Sequence, residues 1–472
     1  MRGFSISAFL FMIICSAPLA RGQSASGEIA GSVLDDSGAA IPKAAVTVLN
    51  TDTGLERRFE TDSLGNYIFT QLSPGNYSIQ VEKSGFQRFV REGITLQVGQ
   101  RARIDVPLRV GAVSESVSIN AQTGLLDVEE ASLGQVIENR KILDLPMNGR
   151  NLIGLAALTT GVSPGVGFGM GIPDGRQALV NAATASFLIN GGMGAHNDVL
   201  MDGIPLAVCC QNQIALIPSI DTTQEFRVRT NLYDAQFGRT SGGLVTFASK
   251  AGTNAFHGGL YEFLRNRNLD ANNFFNNRAG ISKAPFSYNQ YGLRAGGPVI
   301  RNKTFFFFNY EAIRNRKGSF LSGNVPTAAE RQGIFSVPVF DSASTRLQNG
   351  VYSRDPFPGN RVPAGRFDPV AVKLTDLWPL PNTTGANNFL SNASAGDNQD
   401  QYNVRVDHHF SPRHQIFGRV SISNTNGTLP DWFRTIGSPD TWEQFTNNRN
   451  AVLEDTLTLS PSTVMTFRYG FT

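Results

Sequence analysis

The sequence predicts a mainly β protein in three parts: a small N-terminal sandwich, an α+β middle domain, and the first part of a large antiparallel transmembrane barrel. Three observations predict it. Near the end, Tyr402, Val404, Val406, His408 and Phe410 alternate with Gln401, Asn403, Arg405, Asp407 and His409, so one face is apolar and the other polar. The pattern resumes after Ser411-Pro412 as Ile416, Gly418, Val420, Ile422 against Gln415, Phe417, Arg419, Ser421, Ser423. It returns as Met465, Phe467, Tyr469, Phe471 against Val464, Thr466, Arg468, Gly470. Period-two runs of about ten residues have the length of a tilted strand crossing a bilayer. Second, the chain opens with an export signal yet has no later stretch approaching eighteen uninterrupted apolar residues, and such a chain enters a membrane only as a closed barrel. Third, 48 glycines and 33 phenylalanines with only 17% charged residues fit a Gly- and aromatic-rich β protein.

Residues 1–22 are expected to be a secretory signal peptide. A basic start at Arg2 precedes an apolar run from Phe4 to Cys15 and small residues near Ala20, and the run is too short to span. Cys15 follows Ile14, where lipid attachment would need a small residue. Once the signal is removed only Cys209 and Cys210 remain. These neighbours have three open readings: a strained vicinal disulfide, a soft-metal site, or buried thiols. No metal is expected, because adjacent cysteines make a poor tetrahedral set and no histidine lies close in sequence. A net charge of +3 with no Lys/Arg run or recognition motif gives no reason to expect a nucleic-acid partner.

Residues 26–111 contain short strand-like runs at Gly31–Val33, Ala45–Val48, Tyr67–Phe69, Tyr77–Ile79 and Ile104–Val106. Asp36-Ser37-Gly38, Ser63-Leu64-Gly65-Asn66 and Ser73-Pro74-Gly75-Asn76 punctuate them. That spacing indicates a sandwich with one modest core. Gly31-x-Val33-x-Asp35, Ile41-Pro42-x-Ala44-x-Val46, Thr61-Asp62-x-x-Gly65-x-Tyr67 and Leu72-x-Pro74-Gly75-x-Tyr77 resemble the carboxypeptidase regulatory-like domain. The resemblance implies an Ig-like or transthyretin-like sandwich of the carbohydrate-binding-like fold group. It implies an accessory module and no peptidase, and no His-Glu-x-x-His set is present. The module is expected either to pack as a spacer or to touch glycan.

Residues 113–251 are mixed and glycine-rich, with helix expected around residues 129–145 and strands later. The informative positions are Asn190-Gly191, Asp198, Asp202-Gly203 and Gly242-Gly243, where glycines permit conformations that other residues resist. With Gln224-Glu225-Phe226-Arg227-Val228 these segments resemble the plug domain of TonB-dependent outer-membrane receptors. Gly165 to Gly171 fails the dinucleotide fingerprint in spacing and reads as a loop.

In residues 252–472, Tyr261-Glu262-Phe263-Leu264-Arg265-Asn266, Gly296-Gly297-Pro298-Val299 and Lys303-Thr304-Phe305-Phe306-Phe307-Phe308-x-Tyr310-Glu311 are similar to the Oar-like branch of that family. The aromatic run is expected to split, with Phe306, Phe308 and Tyr310 toward lipid and Phe307, Asn309 and Glu311 toward the plug. His408 is expected near the interface and His409 in the lumen, since successive side chains on a strand point oppositely. About seven strands of membrane length are countable after His257, and residues 316–400 are expected to form an extracellular loop. Seven strands cannot close around a plug, which needs about twenty-two. The chain is therefore expected to be a piece of a longer receptor, with an open sheet edge and no transport by itself.

The resemblance implies an outer-membrane receptor of a Gram-negative-type bacterium that takes up a ligand by pairing with a TonB-type energy-coupling protein. Outer-membrane lipid is a second partner, and carbohydrate is one candidate ligand among several. Glu115, Ser116, Val117, Ser118, Ile119, Asn120 and Ala121 form an extended, β-prone, proline-free segment ahead of the plug. This is the candidate pairing segment; the bland alternative is the first strand of the plug. No cofactor and no covalent chemistry are expected, because no Gly-x-Ser-x-Gly elbow, phosphate loop or zinc motif is present. The competing reading is a structural, adhesive or glycan-binding surface protein on the same architecture.

Overall fold

A computed structural model describes residues 26–111, 116–120, 132–147, 150–164, 187–192, 196–207, 214–238, 240–272, 274–278, 283–384, 387–438, 443–460 and 463–472. The signal segment, the Cys209-Cys210 pair and the loop 165–171 lie outside them.

The first domain is a two-sheet sandwich. Strands β1 (Gly27–Asp35), β4 (Asn66–Leu72), β7 (Arg101–Arg103) and β8 (Val106–Leu108) make one sheet, in which β1 pairs with the other three. Strands β2 (Ala45–Asn50), β3 (Glu56–Glu60), β5 (Gly75–Glu82), β6 (Arg88–Leu96) and β9 (Ser116–Asn120) make the other, in the order β3-β2-β5-β6-β9. Alternate residues point into one core that includes Ile29, Val33, Val46, Val48, Phe69, Ile79, Val81, Ile94 and Leu96. Each such side chain contributes about 1.5–3 kcal/mol by leaving water. The sequence runs expected as strands lie in β1, β2, β4 and β5, whereas Ile104–Val106 is broken: β7 ends before Ile104, and β8 begins at Val106. Strand β9 extends the module beyond residue 111, pairing in parallel with β6 from Arg88↔Ser116 to Glu92↔Asn120.

The middle domain has a five-stranded sheet in the order β10 (Leu133–Ile137), β15 (Thr223–Asn231), β16 (Leu244–Ser249), β13 (Asp198–Met201), β14 (Ile204–Pro205). A β11–β12 pair (Val162–Pro164, Phe187–Ile189), helix α1 (Asn139–Asp144) and a 3-10 turn (Leu152–Leu158) pack against it. The helix expected over 129–145 is thus confined to α1, and Leu133–Ile137 is a strand. Its register with Phe226–Asn231 is secured by non-local pairing that local pattern does not reveal.

The third domain is a meander of seven antiparallel strands, β17 (His257–Asn266), β18 (Phe286–Ile300), β19 (Thr304–Gly323), β22 (Phe389–Ser411), β23 (His414–Thr428), β24 (Glu443–Ser460) and β25 (Thr463–Phe471). It is open between β17 and β25 among the described residues. Its connections are short at one end (301–303, 412–413, 461–462) and long at the other. Helix α2 (Phe274–Arg278) lies in one long connection. Helices α3 (Ala328–Arg331) and α4 (Pro369–Thr375) and the hairpin β20–β21 (Arg346–Gln348, Val351–Ser353) lie in another. The loop expected over 316–400 is shorter, because Gly323 still pairs with Phe389 and the β19–β22 ladder continues to Thr304↔His408. At about 3.4 Å per residue, the 23 residues of β22 are longer than a bilayer core is thick.

The alternation sorts the faces as expected. Gln401, Asn403, Arg405, Arg419, Ser421 and Ser423 are buried inward, while Val404, Val406, Val420, Met465, Phe467 and Tyr469 are exposed outward. Phe307, Asn309 and Glu311 are buried on the inner face, joined by Phe305. His409 turns inward onto the Phe305 ring at 5.7 Å, and His408 meets Phe410.

Candidate functional site

The seam between the middle domain and the inner face of the wall concentrates the polar chemistry of the molecule. It is built on the Asp202-Gly203 hairpin. Met201 pairs with Ile204 across this two-residue turn, and both turn residues have positive φ, 50° for Asp202 and 81° for Gly203. A turn with left-handed backbone at both central positions favours Asp-Gly, which explains the local sequence. The hairpin delivers the Asp202 carboxylate to the edge of the sheet and into the wall.

There Asp202 accepts hydrogen bonds from the Ser249 backbone N–H at 2.9 Å, the Ser249 hydroxyl at 2.8 Å and Arg419 Nε at 2.6 Å. Arg405 Nη1 lies 3.8 Å from its other oxygen. Burial alone would push this carboxyl up. Arg419, Arg405 and the Ser249 donors outweigh it and hold the group below the usual carboxylate value. Arg419, 1% exposed, also donates to Ser421 Oγ and Asn450 Oδ1, both at 2.7 Å. Arg405 is held by Asp407 at 2.7 Å, donates to Ser249 Oγ at 2.8 Å and lies over the Phe417 ring. The two arginines face each other across the β22–β23 ladder. Without the carboxylate between them, two like charges would share a buried site.

A second node lies further along the seam. Asp221 accepts from Arg150 at 2.7 Å and from Arg294 of β18 at 2.6 Å, while Arg150 covers the Phe263 ring at 4.1 Å. Lys250 sits beside this node. Burial and Arg294 push its ammonium down to about 8, against the pull of Asp221. Between the nodes Asn309 accepts from Ser219 and Thr222, each at 3.0 Å, and Gln401 donates to the Ile217 carbonyl.

The other singled-out positions serve the middle domain's own architecture. Asn190 and Gly191 form the turn after β12, with φ of 50° and 74°, and Asn190 Nδ2 donates to the Thr230 carbonyl at 2.8 Å. Asp198 is buried at the start of β13, opposite Leu244 in a parallel register. Gly242 and Gly243 are needed for close approach. A Cβ on Gly243 would sit 2.1 Å from Ile189 Cδ1, and one on Gly242 would sit 2.5 Å from Asn197 Oδ1. Asn190, Gly191, Asp198 and the Gly pair thus gather at one end of the sheet, and Asp202-Gly203 lies at the other. Within the candidate pairing segment, Ser116–Asn120 is strand β9 on the sandwich edge and not a strand of the middle sheet, while Glu115 and Ala121 lie outside the described residues. The Arg150–Asp221–Arg294 node is invisible to motif reading. Its signal would have been an inward-facing arginine on a wall strand paired with an acidic residue of the middle domain. Among the described residues no three His, Cys, Asp or Glu side chains cluster as metal ligands.

An outer membrane beta barrel domain family matches residues 248–472, and the carboxypeptidase regulatory-like domain family matches residues 28–109. The TonB-dependent transporter Oar of Myxococcus xanthus is 26% identical over 313 residues, 63% of this chain and 28% of that protein. Among solved structures, the outer membrane transporter YddB of Escherichia coli aligns over 71% of this chain and 38% of that one, with 11% identity and a TM-score of 0.42. This chain therefore spans well under half the length of either relative.

Proposed function

We propose that this chain, an outer-membrane β-barrel protein of Gram-negative bacteria and a homologue of the TonB-dependent transporter Oar, works as the gated part of a receptor for active ligand uptake. The middle domain is the plug. The ligand is captured at the long-loop side, and an energy-coupling protein of the TonB type pulls the plug to open a passage. No covalent step is involved.

The observation that carries this reading is the chemistry of the seam. The plug meets the wall through Asn309, Gln401, Arg405 and Arg419, all buried, and through two Arg–Asp nodes. Polar groups can exchange a protein partner for water when a domain moves, so the net loss per hydrogen bond is only about 0.5–1.5 kcal/mol. A wall and plug joined by an apolar core of the same size would resist displacement far more strongly. Strand β9, which among the described residues pairs on one side only, with β6, is extended backbone of the kind a partner strand can join.

The test is uptake by cells producing the full-length receptor, with and without the coupling protein, beside Ser116→Pro and Val117→Pro variants. Uptake lost in all three altered cases supports import. Surface adhesion that survives loss of the coupling protein, with no uptake at all, would replace this reading by a structural or adhesive one.

A further inference from the structure

Outer-membrane barrels carry short turns on the periplasmic side and long loops outside, so the short connections 301–303 and 412–413 mark the periplasmic mouth. The sandwich is docked there by three sets of contacts. Asn254 N donates to the Asp52 carbonyl at 3.0 Å and Asn254 Nδ2 to the Thr53 carbonyl at 2.7 Å. Asn254 is itself braced by Asn302 of the β18–β19 turn, through Nδ2 to Asn302 Oδ1 at 2.7 Å and Asn302 N to Asn254 Oδ1 at 2.9 Å. Gln415, at the β22–β23 turn, donates to the Gln71 carbonyl at 3.4 Å. On the plug, the sandwich turn 97–100 is grasped by side chains of β15. Val98 N–H donates to the Glu225 carboxylate, and Arg227 and Arg229 donate to the Gly99 carbonyl at 3.0 and 3.2 Å. Among the described residues Val98 also forms a buried apolar contact with Ala248 across this docking. A cavity of about 230 Å³, lined by Asp52, Tyr77, Glu225, Arg405, His409 and Arg468 among others, lies between the three domains.

We propose that the sandwich is a latched cover on the periplasmic mouth, and that a pull on residues 116–120 lifts this cover before it moves the plug. The second half rests on the import reading; the first does not. Magnitudes set the order of events. The cover is held by polar contacts at its rim and a small apolar contact, each of the kind that opens readily between domains. The plug is held by two carboxylate–arginine nodes, whose charge-assisted hydrogen bonds are stronger than neutral ones and have to part together. Connectivity points the same way. Strand β9 is hydrogen-bonded to the sandwich through β6, so a pull reaches the sandwich with no slack.

Two measurements test this on the full-length receptor. Hydrogen exchange of the turn 97–100 reads cover opening. Asn254→Ala combined with Asn302→Ala should speed it by about tenfold while β15 residues 226–228 keep their rate. If that variant also loosens β15, an oxidised Gly54→Cys, Asn302→Cys pair decides. An added Cβ on Gly54 lies 3.3 Å from Asn302 Cγ, within reach of a crosslink, and the bond should slow exchange at 97–100 by about tenfold. Unchanged exchange under both changes overturns the cover. For the order of events, the bilayer-embedded receptor with Cys209→Ser and Cys210→Ser is pulled mechanically through Ser118→Cys. The first rupture should weaken in the Asn254→Ala, Asn302→Ala background while later ruptures keep their force. A first rupture indifferent to the latch overturns the order, and because no ligand or coupling protein is used, failure of the import reading leaves this result standing.

Discussion

Replacing Asp202 by asparagine keeps the side-chain volume and removes one negative charge from between two guanidinium groups. Arg405 retains Asp407 at 2.7 Å, but among the described residues Arg419 is left with only neutral partners, Ser421, Asn450 and the Met201 carbonyl. An uncompensated buried charge costs about 3–5 kcal/mol. The loss falls on the seam between the middle domain and the wall, because every partner of the Asp202 carboxylate other than Ser249 belongs to β22 or β23. With a urea dependence of about 2 kcal/mol per molar for a domain of this size, the middle domain should unfold at a urea concentration lower by about 2 M. Hydrogen exchange of β16 in the full-length protein against urea measures that shift. Arg419→Met alone should also be costly, and Asp202→Asn with Arg419→Met should cost at least about 1.5 kcal/mol less than the sum of the two. A midpoint displaced by less than about 0.3 M, or strict additivity in the pair, refutes the idea that this node seats the middle domain on the wall.

Three further outcomes follow from the same structure. Burial pushes the Glu225 carboxyl from 4.5 up to about 7, with the Val98 N–H and Arg227 opposing and Glu138 adding to it. The folded form therefore holds a proton that the unfolded chain releases, and stability falls as pH rises from about 4.5 to 7, by about 3 kcal/mol in all. Glu225→Gln should flatten that slope in melting experiments between pH 4 and 8; an unchanged slope assigns it to other groups. On the outer face Val420 is 47% exposed, and Val420→Arg should weaken folding into bilayers by about 2–4 kcal/mol if it faces the hydrocarbon midplane. A shift below about 0.5 kcal/mol would deny that position its lipid contact. In the middle domain, Gly243→Ala places a methyl against Ile189 and the Arg229 carbonyl and should destabilise the domain by about 1–3 kcal/mol in denaturant titration; a neutral change would mean the strand end can shift.

What the amino-acid order determined by itself was everything that depends on short range. A pleat repeats every two residues and each face meets one solvent, so Val404 and Val406 were assigned to lipid and Asn403 and Arg405 to the interior from pattern alone. The Asp202-Gly203 turn was legible for a similar reason, since few dipeptides tolerate left-handed backbone at both positions. Only the tertiary structure decided which of the inward arginines meets which carboxylate. Asp202 and Arg419 are brought together by the register of β22 against β23 and by the seating of a separate sheet on that wall, and neither leaves a trace in neighbouring residues. The same holds for β9, whose extended sequence reads as a pairing segment or as the first strand of the middle domain, until pairing with Arg88–Glu92 puts it on the sandwich. Strand ends were misjudged in β19 and β22 because hydrogen bonds between strands continue into water, where no apolar alternation is required to mark them.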